Sequence, residues 1–255
     1  MSDPRPLKRF GQNYLKDHQT ILKIAREFEP SLDDIVVEIG PGTGALTGEL
    51  YQKVAKLYAV EIDFRVIEEL SFKFPIVHFI NADFLKFELS STIQEEKKLR
   101  IVGNIPYNIT SPIIFKLIEN RELIKDAMMM VQLEVANRII GTNSKKDYGI
   151  LAVIINAFAT TSLRFKISPN VFYPKPKVES AIIHLDFNKN LPEDISSKNF
   201  MGVVKAAFGN RRKTLKNSLS NSVYKDRVSK VEMDLTRRAE ELSIDEYFEL
   251  TRMLN

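Results

Sequence analysis

Residues 104–110 form a polar and aromatic segment directly after an apolar run, 99–103, that predicts a buried strand. A planar base could bind at such a strand end, because Asn104 and Pro106 each offer a carbonyl oxygen as an acceptor and Tyr107 offers an aromatic face. The two carbonyls could hold the two hydrogens of an exocyclic amine. Asn and Pro are also common in turns, so an ordinary strand-ending turn is the alternative interpretation.

Polar residues also follow three other predicted strands: a glycine loop at 40–44, then Glu61, then Asp83. Strands that alternate with helices predict a right-handed βαβ series and an open parallel sheet, and ligands bind such sheets beyond the carboxyl ends of the strands. Together with Asn104, four successive strand ends therefore carry candidate binding residues. This coincidence is the strongest argument from the residues themselves for a nucleotide-like ligand.

The glycines at 40, 42 and 44 would let backbone N–H groups at a helix start approach an anionic or polar ligand. A dinucleotide fingerprint is spaced G-x-G-x-x-G, whereas here the third glycine comes one residue early. Glu61, about 20 residues after Gly40, is placed to bind ribose hydroxyls, and Asp83 could accept from an adenine amino group. This set fits an adenosine with a compact tail, such as S-adenosylmethionine, at least as well as NAD. Solvated strand-end carboxylates are the alternative.

The composition excludes several kinds of site. The chain of 255 residues contains no cysteine, which rules out disulfides, thiolate zinc sites, iron–sulfur clusters and a cysteine nucleophile. Its three histidines are far apart, so no metal is expected. A hydrophobic fraction of 44% and a charged fraction of 27% are typical of a soluble globular protein. Without a long apolar run or the apolar segment of a signal peptide, we expect a cytoplasmic protein with no membrane partner.

A series of helices and strands must position these residues. Asp17 is predicted to cap a helix that runs to about residue 29. Strands are predicted at 35–39, 57–60, 76–80, 99–104, 127–131, 162–167 and 180–187, the last of which closes the sheet. Helices are predicted at 45–53, from 64 to 72, and at 111–118, 134–140 and 149–158.

A polar stretch with a proline, 188–194, predicts a domain boundary. Beyond it the pattern indicates helices at 196–208, 213–222, 230–235 and 245–253. We therefore expect two domains, at 1–189 and 190–255.

Residues 208–219 form a basic segment with no anion. Its cations are Arg211, Arg212, Lys213 and Lys216, and Lys205 lies one turn earlier. Such a cluster can neutralise the phosphates of a nucleic acid, whereas a solvated helix face is the alternative. The net charge of +4 over the whole chain favours an anionic partner only weakly, so this interpretation depends on the local concentration of charge.

Five segments, taken together, resemble the ribosomal RNA adenine dimethyltransferases. They are FGQNYL at 10–15, EIGPGTG at 38–44, NIPYNIT at 104–110, FYPKPKVES at 172–180, and the basic segment 208–219. They occur in order over almost the whole chain, and RRKTL at 211–215 is similar to the small-subunit branch rather than the macrolide-resistance branch. The departures are small: Tyr14 stands where phenylalanine is usual, and Ile105 where leucine is usual.

The resemblance implies an α/β fold of the class I (Rossmann-like) methyltransferase type, with a catalytic domain and a small all-α C-terminal domain that binds RNA. It implies S-adenosylmethionine as the methyl donor, without a metal. It also implies dimethylation of N6 of two adjacent adenines near the 3′ end of small-subunit rRNA, with a role in small-subunit biogenesis. We expect the chain to act as a monomer. The expected cofactor-binding residues are Gln12, Asn13, Leu15, Gly40, Gly42, Glu61, Ile62, Asp83, Phe84 and Asn104.

The catalytic hypothesis is that an rRNA adenine leaves its base stack and binds at the end of the strand predicted at 99–104. The side-chain carbonyl of Asn104 and the backbone carbonyl of Pro106 would accept the two N6 hydrogens, and Tyr107 and Phe172 would sandwich the ring. Prolines after Phe172 stiffen its loop, although core filling is the other role for this ring. Three further readings stay open: a large-subunit rRNA dimethylase, a non-catalytic ribosome assembly factor, and a nicotinamide dehydrogenase.

Overall fold

The computed structural model describes residues 6–7, 11–93, 97–143, 147–210 and 212–255. Its strands are β1 Tyr14–Leu15, β2 Ile35–Ile39, β3 Lys56–Glu61, β4 His78–Asn81, β5 Leu99–Asn104, β6 Ile124–Gln132, β7 Thr160–Ile167, β8 Phe172–Tyr173 and β9 Ser180–Asp186. Its α-helices are α1 His18–Phe28, α2 Ala45–Leu50, α3 Phe64–Lys73, α4 Thr110–Glu119, α5 Leu133–Ile139, α6 Ile150–Phe158, α7 Ser197–Ala207, α8 Leu215–Ser220 and α9 Ile244–Leu254. No helix in these described ranges has the length and apolar character needed to cross a membrane.

The contacts divide the chain into two compact units, Met1–Ala136 with Ser162–Phe187, and Asn137–Thr161 with Asn188–Asn255. The domains predicted at 1–189 and 190–255 differ from this division mainly in the placement of 137–161. In the second unit Phe158 of α6 packs edge-on against Phe200 of α7, with ring centroids 6.1 Å apart. The sequence shows that α6 is apolar, but not which other helix it packs against.

A seven-stranded sheet in the order β4-β3-β2-β5-β6-β9-β7 positions the strand ends of the first unit. β2 pairs in parallel with β3 and β5, β3 with β4, and β5 with β6, as the alternation of strands and helices predicts. Because these five strands run the same way, their carboxyl ends meet at one edge of the sheet.

The prediction that 180–187 closes the sheet is wrong. β9 lies between β6, to which it is antiparallel, and β7, which forms the edge. The reason is burial: Ala181, Ile182, Ile183 and Leu185 are at most 1% exposed, whereas β7 contains exposed and half-buried residues along most of its length. A strand covered on both sides and both faces needs such an apolar run, and an edge strand does not.

Two helix predictions have different outcomes. Asp17 caps α1 as predicted, since its carboxylate accepts from the backbone N–H of Thr20 at 2.8 Å. The helix predicted at 230–235 is wrong: a 3-10 turn, Val228–Lys230, ends at the first residue of this range, and no helix follows within it. There the carbonyls of Leu235 and Arg237 accept instead from backbone N–H groups at the start of α8.

A buried ion network joins the amino-terminal ends of the strands. The guanidinium of Arg100 donates to both oxygens of Asp126 at 2.8 Å and to Asp34 at 2.7 Å. It also donates to the carbonyl of Phe28 at 2.7 Å, so β5, β6 and the end of α1 share one cation. Burial alone would raise the pKa of Asp126, but hydrogen bonds from His184 and Arg100 hold that pKa below its ordinary value.

We expect Arg100→Met to destabilise the protein by about 3–5 kcal/mol, because the buried carboxylate of Asp126 would lose its main partner. Urea unfolding followed by circular dichroism measures the change. Lys53→Met, which removes the ion pair between the exposed ammonium of Lys53 and Glu49 of α2, is the matched control and should change the stability little. Equal effects of the two substitutions would contradict a structural role for the network.

Candidate active site

A cavity of about 290 Å³ opens at the carboxyl ends of the parallel strands. A volume near 300 Å³ is at the lower end of the range for small-molecule sites. All ten residues of the predicted cofactor set line it: Gln12, Asn13, Leu15, Gly40, Gly42, Glu61, Ile62, Asp83, Phe84 and Asn104. Pro106 lines it as well. The structure therefore brings together residues that are up to about 90 positions apart in the chain.

The glycine loop lines this cavity at residues 40–43, and two of its glycines leave little or no room for a side chain. At Gly42 a Cβ would lie 3.1 Å from the ring of Tyr14, and at Gly44 it would lie 2.7 Å from Leu70. Both residues also have positive φ, 56° and 74°, which other residues rarely adopt. The loop thus turns tightly from β2 into α2 under the N-terminal segment.

Glu61 presents a buried carboxylate to the cavity and is only 5% exposed. The backbone N–H of Asp63 donates to its Oε1 at 2.9 Å, which fixes the carboxylate at the end of β3. Burial raises the pKa of Glu61, and hydrogen bonds from the backbone of Asp63 and Gly42 oppose this rise. Such a buried acceptor suits a ligand that carries hydroxyl donors.

Glu38 is a cavity residue that the sequence analysis did not single out. It is 2% exposed, and its Oε2 accepts from the hydroxyl of Thr47 at 2.6 Å. Burial raises the pKa of Glu38 to about 7. The hydrogen bond from Thr47 opposes this rise, and the negative charge of Glu61 adds to it. The sequence does contain an indication of this role: Glu38 is the one carboxylate in the apolar strand β2, next to the glycine loop. Because an unpaired charge is costly in a core, such a residue is a candidate for a functional site.

Asp83 and Phe84 begin a turn after β4. The backbone N–H of Leu85 donates to Oδ1 of Asp83 at 2.9 Å, which orients the carboxylate. Asp83 is half-buried and Phe84 is 5% exposed, and both line the cavity. A carboxylate beside an apolar ring can bind the amino edge and the face of an adenine.

The amide of Asn104 has a defined orientation. Its Nδ2 donates to the backbone carbonyl of Asn13 at 2.8 Å. A carbonyl can only accept, so the amino group of the amide must face Asn13 and Oδ1 must face the other way. Asn104 thus offers the cavity an acceptor.

The carbonyl of Pro106 already has partners within its own segment. It accepts from the N–H of Ile109 at 3.1 Å, in the 3-10 turn Tyr107–Ile109, and from the hydroxyl of Thr110 at 3.5 Å. The Thr110 contact is long, and the same hydroxyl lies closer to the carbonyl of Tyr107, at 3.4 Å. Because a carbonyl oxygen has two lone pairs and only Ile109 holds one of them firmly, a further donor can approach Pro106.

The two aromatic residues of the catalytic hypothesis are not among the residues that line the cavity. Tyr107 is half-buried, and its hydroxyl lies 2.7 Å from Oγ of Ser180, which is fully buried. Phe172 is 5% exposed and packs in the core of the first unit. The expected open stacking face of Phe172 is therefore absent from this structure: β8 pairs with β1, and Phe172 lies opposite Leu15.

The predicted RNA-binding residues lie in the second unit, except that Arg211 falls outside the described residues. Lys205 is exposed in α7. Arg212 and Lys213 are exposed just before α8, and Lys216 is exposed within it. Thr214 caps α8 by accepting from the backbone N–H of Asn217 at 3.5 Å. Arg212, Lys213 and Lys216 therefore lie next to or within the capped first turn of α8, and Lys205 lies in the preceding helix.

Comparison with known proteins gives a consistent result. Residues 6–255 match the family model described as ribosomal RNA adenine dimethylase. A protein of Chlorobium phaeobacteroides named ribosomal RNA small subunit methyltransferase A is 44% identical over 243 residues, which are 95% of this chain and 89% of the relative. A protein of the same name from Francisella tularensis is 43% identical over 256 residues, covering 97% of each chain.

Two solved structures are similar over nearly the whole chain. A dimethyladenosine transferase from Plasmodium falciparum has a TM-score of 0.75 at 25% identity, with 92% of this chain and 95% of that chain covered. The 23S rRNA methyltransferase ErmE has a TM-score of 0.70 at 28% identity, with 94% and 99% covered.

The buried carboxyl of Glu38 predicts a pH dependence of stability. Its pKa is about 7 in the folded chain against an ordinary value of 4.5, so the folded state holds a proton that the unfolded state releases within this range. The stability that Glu38 contributes is therefore complete below pH 4.5 and decreases by about 3 kcal/mol as the pH rises to 7.

Urea unfolding of the wild type and of Glu38→Gln at several pH values measures this dependence. The stability of the wild type relative to Glu38→Gln should fall as the pH rises from 4.5 through 7 and level off about one pH unit above the pKa of Glu38. Glu68→Gln, which changes an exposed glutamate on α3, is the matched control and should follow the wild type. Parallel curves for the wild type and Glu38→Gln would show that Glu38 does not hold this proton.

Proposed function

The chain belongs to the ribosomal RNA adenine dimethylase family, and from this premise we propose that it dimethylates N6 of two adjacent adenines near the 3′ end of small-subunit rRNA. The similar proteins named ribosomal RNA small subunit methyltransferase A support this choice of substrate. The orientation of the Asn104 amide carries the proposal, because it places an acceptor at the strand end where an adenine amine would have to bind.

Two predictions from the sequence are confirmed. The fold is of the α/β, Rossmann-like methyltransferase type, and the chain is a member of the family that its motifs resemble. The chain is therefore an S-adenosylmethionine-dependent methyltransferase.

The cavity fits the proposed methyl donor, S-adenosylmethionine. The buried carboxylate of Glu61 would accept from the ribose hydroxyls, and Asp83 would accept from the adenine amine. The backbone of the glycine loop, which leaves little room for a side chain at Gly42, would lie along the tail of the donor. When bound, this donor supplies a methyl group on a positively charged sulfur. Gln12, Asn13, Leu15, Ile62 and Phe84 would complete the walls.

Asn104 and Pro106 would make the adenine amine reactive. The N6 lone pair of adenine is delocalised into the ring, so the amine is a poor nucleophile. Hydrogen bonds from its two hydrogens to Asn104 Oδ1 and to the carbonyl of Pro106 would favour a pyramidal nitrogen and direct its lone pair along the line of transfer. As the new N–C bond forms, the C–S bond breaks, its electron pair stays on sulfur, and the extra proton on N6 passes to solvent.

The base would be held by the ring of Tyr107, whose hydroxyl is fixed at Ser180. Stacking of a base on an aromatic ring contributes about 1–3 kcal/mol. Phe172 could form the second face only if the β1–β8 pair moved to expose it, since this ring is buried in the structure. The RNA backbone would be bound by the exposed cations Lys205, Arg212, Lys213 and Lys216 and by Arg211 in the same segment. The proposed rRNA substrate fits the cytoplasmic location expected from the sequence.

The structural similarity to ErmE favours one alternative, namely methylation of large-subunit rRNA. Transfer of tritiated methyl groups to unmethylated small and large subunits separates the two. We expect the label in the small subunit, and label only in the large subunit would contradict the proposed substrate.

Asn104→Ala should reduce methyl transfer to unmethylated small subunits by at least about 100-fold, because it removes the acceptor of the amine. Binding of S-adenosylhomocysteine, measured by calorimetry, should remain detectable. Asn170→Ala, at an exposed amide outside the cavity lining, is the control and should keep wild-type transfer. Near-normal turnover of Asn104→Ala would refute the catalytic role and favour a non-catalytic assembly factor.

Replacing Arg212, Lys213 and Lys216 together with alanine should weaken rRNA binding and make it less dependent on salt. Each phosphate contact that is lost should reduce the slope of log K against log salt by about 0.7–0.9. The same replacement of the exposed lysines Lys198, Lys225 and Lys230 removes equal charge elsewhere in the second unit and should leave the slope nearly unchanged. An identical slope for both triple variants would show that the basic segment does not contact phosphates.

A further inference from the structure

Lys116, on the second turn of α4, binds the backbone of the turn that follows β4. Its ammonium donates to the backbone carbonyl of Phe87 at 2.6 Å and to that of Leu85 at 3.1 Å. Both carbonyls belong to the turn that follows β4. A side chain of α4 thus binds the backbone of a segment about 30 positions earlier in the chain.

This turn carries Asp83 and Phe84, which line the cavity. Within it, the N–H groups of Lys86 and Phe87 donate to the carbonyl of Asp83. The carbonyls at the end of such a turn have no later N–H group in a helix to bind, so they need another donor. Lys116 supplies that donor, and its ammonium also lies 5.7 Å from the centroid of the Phe84 ring.

The cation occupies a costly position. Burial lowers the pKa of Lys116, and the negative charges of Asp83, Glu119 and Glu88 oppose this decrease. An apolar side chain could pack here without the loss of solvation that an ammonium suffers. The hydrogen bonds to the turn, rather than packing alone, therefore account for a lysine at this position.

We propose that Lys116 is a positioning residue for the adenine of the methyl donor. By holding the 83–87 turn, it fixes where Asp83 and Phe84 meet the adenine. α4 begins directly after the 3-10 turn Tyr107–Ile109. The same lysine therefore connects the site for the adenine of the methyl donor to the segment that would bind the amine of the rRNA adenine. This inference rests on the proposed function, since it assumes that the cavity binds an adenosine-containing donor.

The test compares two ligands that differ only at the edge which Asp83 would contact. S-adenosylhomocysteine carries the 6-amino group, and S-inosylhomocysteine carries an oxygen in its place. Calorimetry gives the Kd of each ligand for the wild type, Lys116→Met and Lys86→Met. Lys86, an exposed lysine in the same turn, is the matched control because its replacement removes the same charge.

The wild type should prefer the adenine ligand by at least about 10-fold. Lys116→Met should weaken binding of S-adenosylhomocysteine about 10-fold and that of S-inosylhomocysteine less than about 2-fold, so that the preference nearly disappears. Its kcat at saturating donor should stay within about 3-fold of the wild-type value, whereas the KM for the donor rises. Lys86→Met should match the wild type in every measurement. Lys116→Gln keeps a shorter side chain that can still donate a hydrogen bond, so it should lose only part of the preference for adenine. This variant provides the test if Lys116→Met does not fold.

A purely structural lysine would give a different result. If Lys116→Met and Lys116→Gln lower the stability but keep the wild-type preference for adenine, the positioning role is overturned while the proposed function stands. If the wild type binds neither ligand, the proposed donor fails and this inference fails with it.

Discussion

The hydrogen bond between the amide of Asn104 and the carbonyl of Asn13 is the constraint on which the site depends. It joins the end of β5 to the N-terminal segment, and it decides which end of the amide faces the cavity. The N-terminal segment is held in turn by the pairing of β1 with β8 and by the N–H of Lys16, which donates to the carbonyl of Val171 at 2.8 Å. One acceptor is thus oriented by contacts from three distant parts of the chain.

The parallel sheet brings that acceptor to the donor site. β5 lies so close to β2 that a Cβ at Gly103 would be 2.5 Å from the carbonyl of Ile39. This approach aligns Asn104 with the glycine loop, and the pairing of β3 with β4 aligns Glu61 with the turn at Asp83. The Arg100 network holds the opposite ends of β5 and β6. The residues that would bind the methyl donor and the adenine amine therefore meet because the parallel strands end together at one edge of the sheet.

Local patterns in the sequence were enough to predict the βαβ series and the residues at its strand ends, because the alternation of strands and helices fixes where parallel strands end. They were not enough for features made by distant pairing. Two-residue strands such as β1 and β8 have no periodic pattern, so the sequence could not decide between a stacking role and core filling for Phe172. The position of β9 inside the sheet and the grouping of 137–161 with the second unit also depend on partners that a local pattern does not reveal. The sequence alone could have indicated Glu38 as a site residue, since a carboxylate within an apolar strand is costly to bury.

A crystal structure with a bisubstrate ligand, in which adenosine N6 is linked to an S-adenosylmethionine analogue, tests the arrangement most directly. The two-acceptor geometry predicts that N6 lies within about 3.2 Å of either Asn104 Oδ1 or the Pro106 carbonyl, since the linker replaces one hydrogen, and that the second oxygen stays adjacent. The amide of Asn104 should still donate to Asn13. A ligand whose N6 lies far from both oxygens, or an Asn104 amide that turns its Nδ2 toward N6, would contradict the two-acceptor geometry.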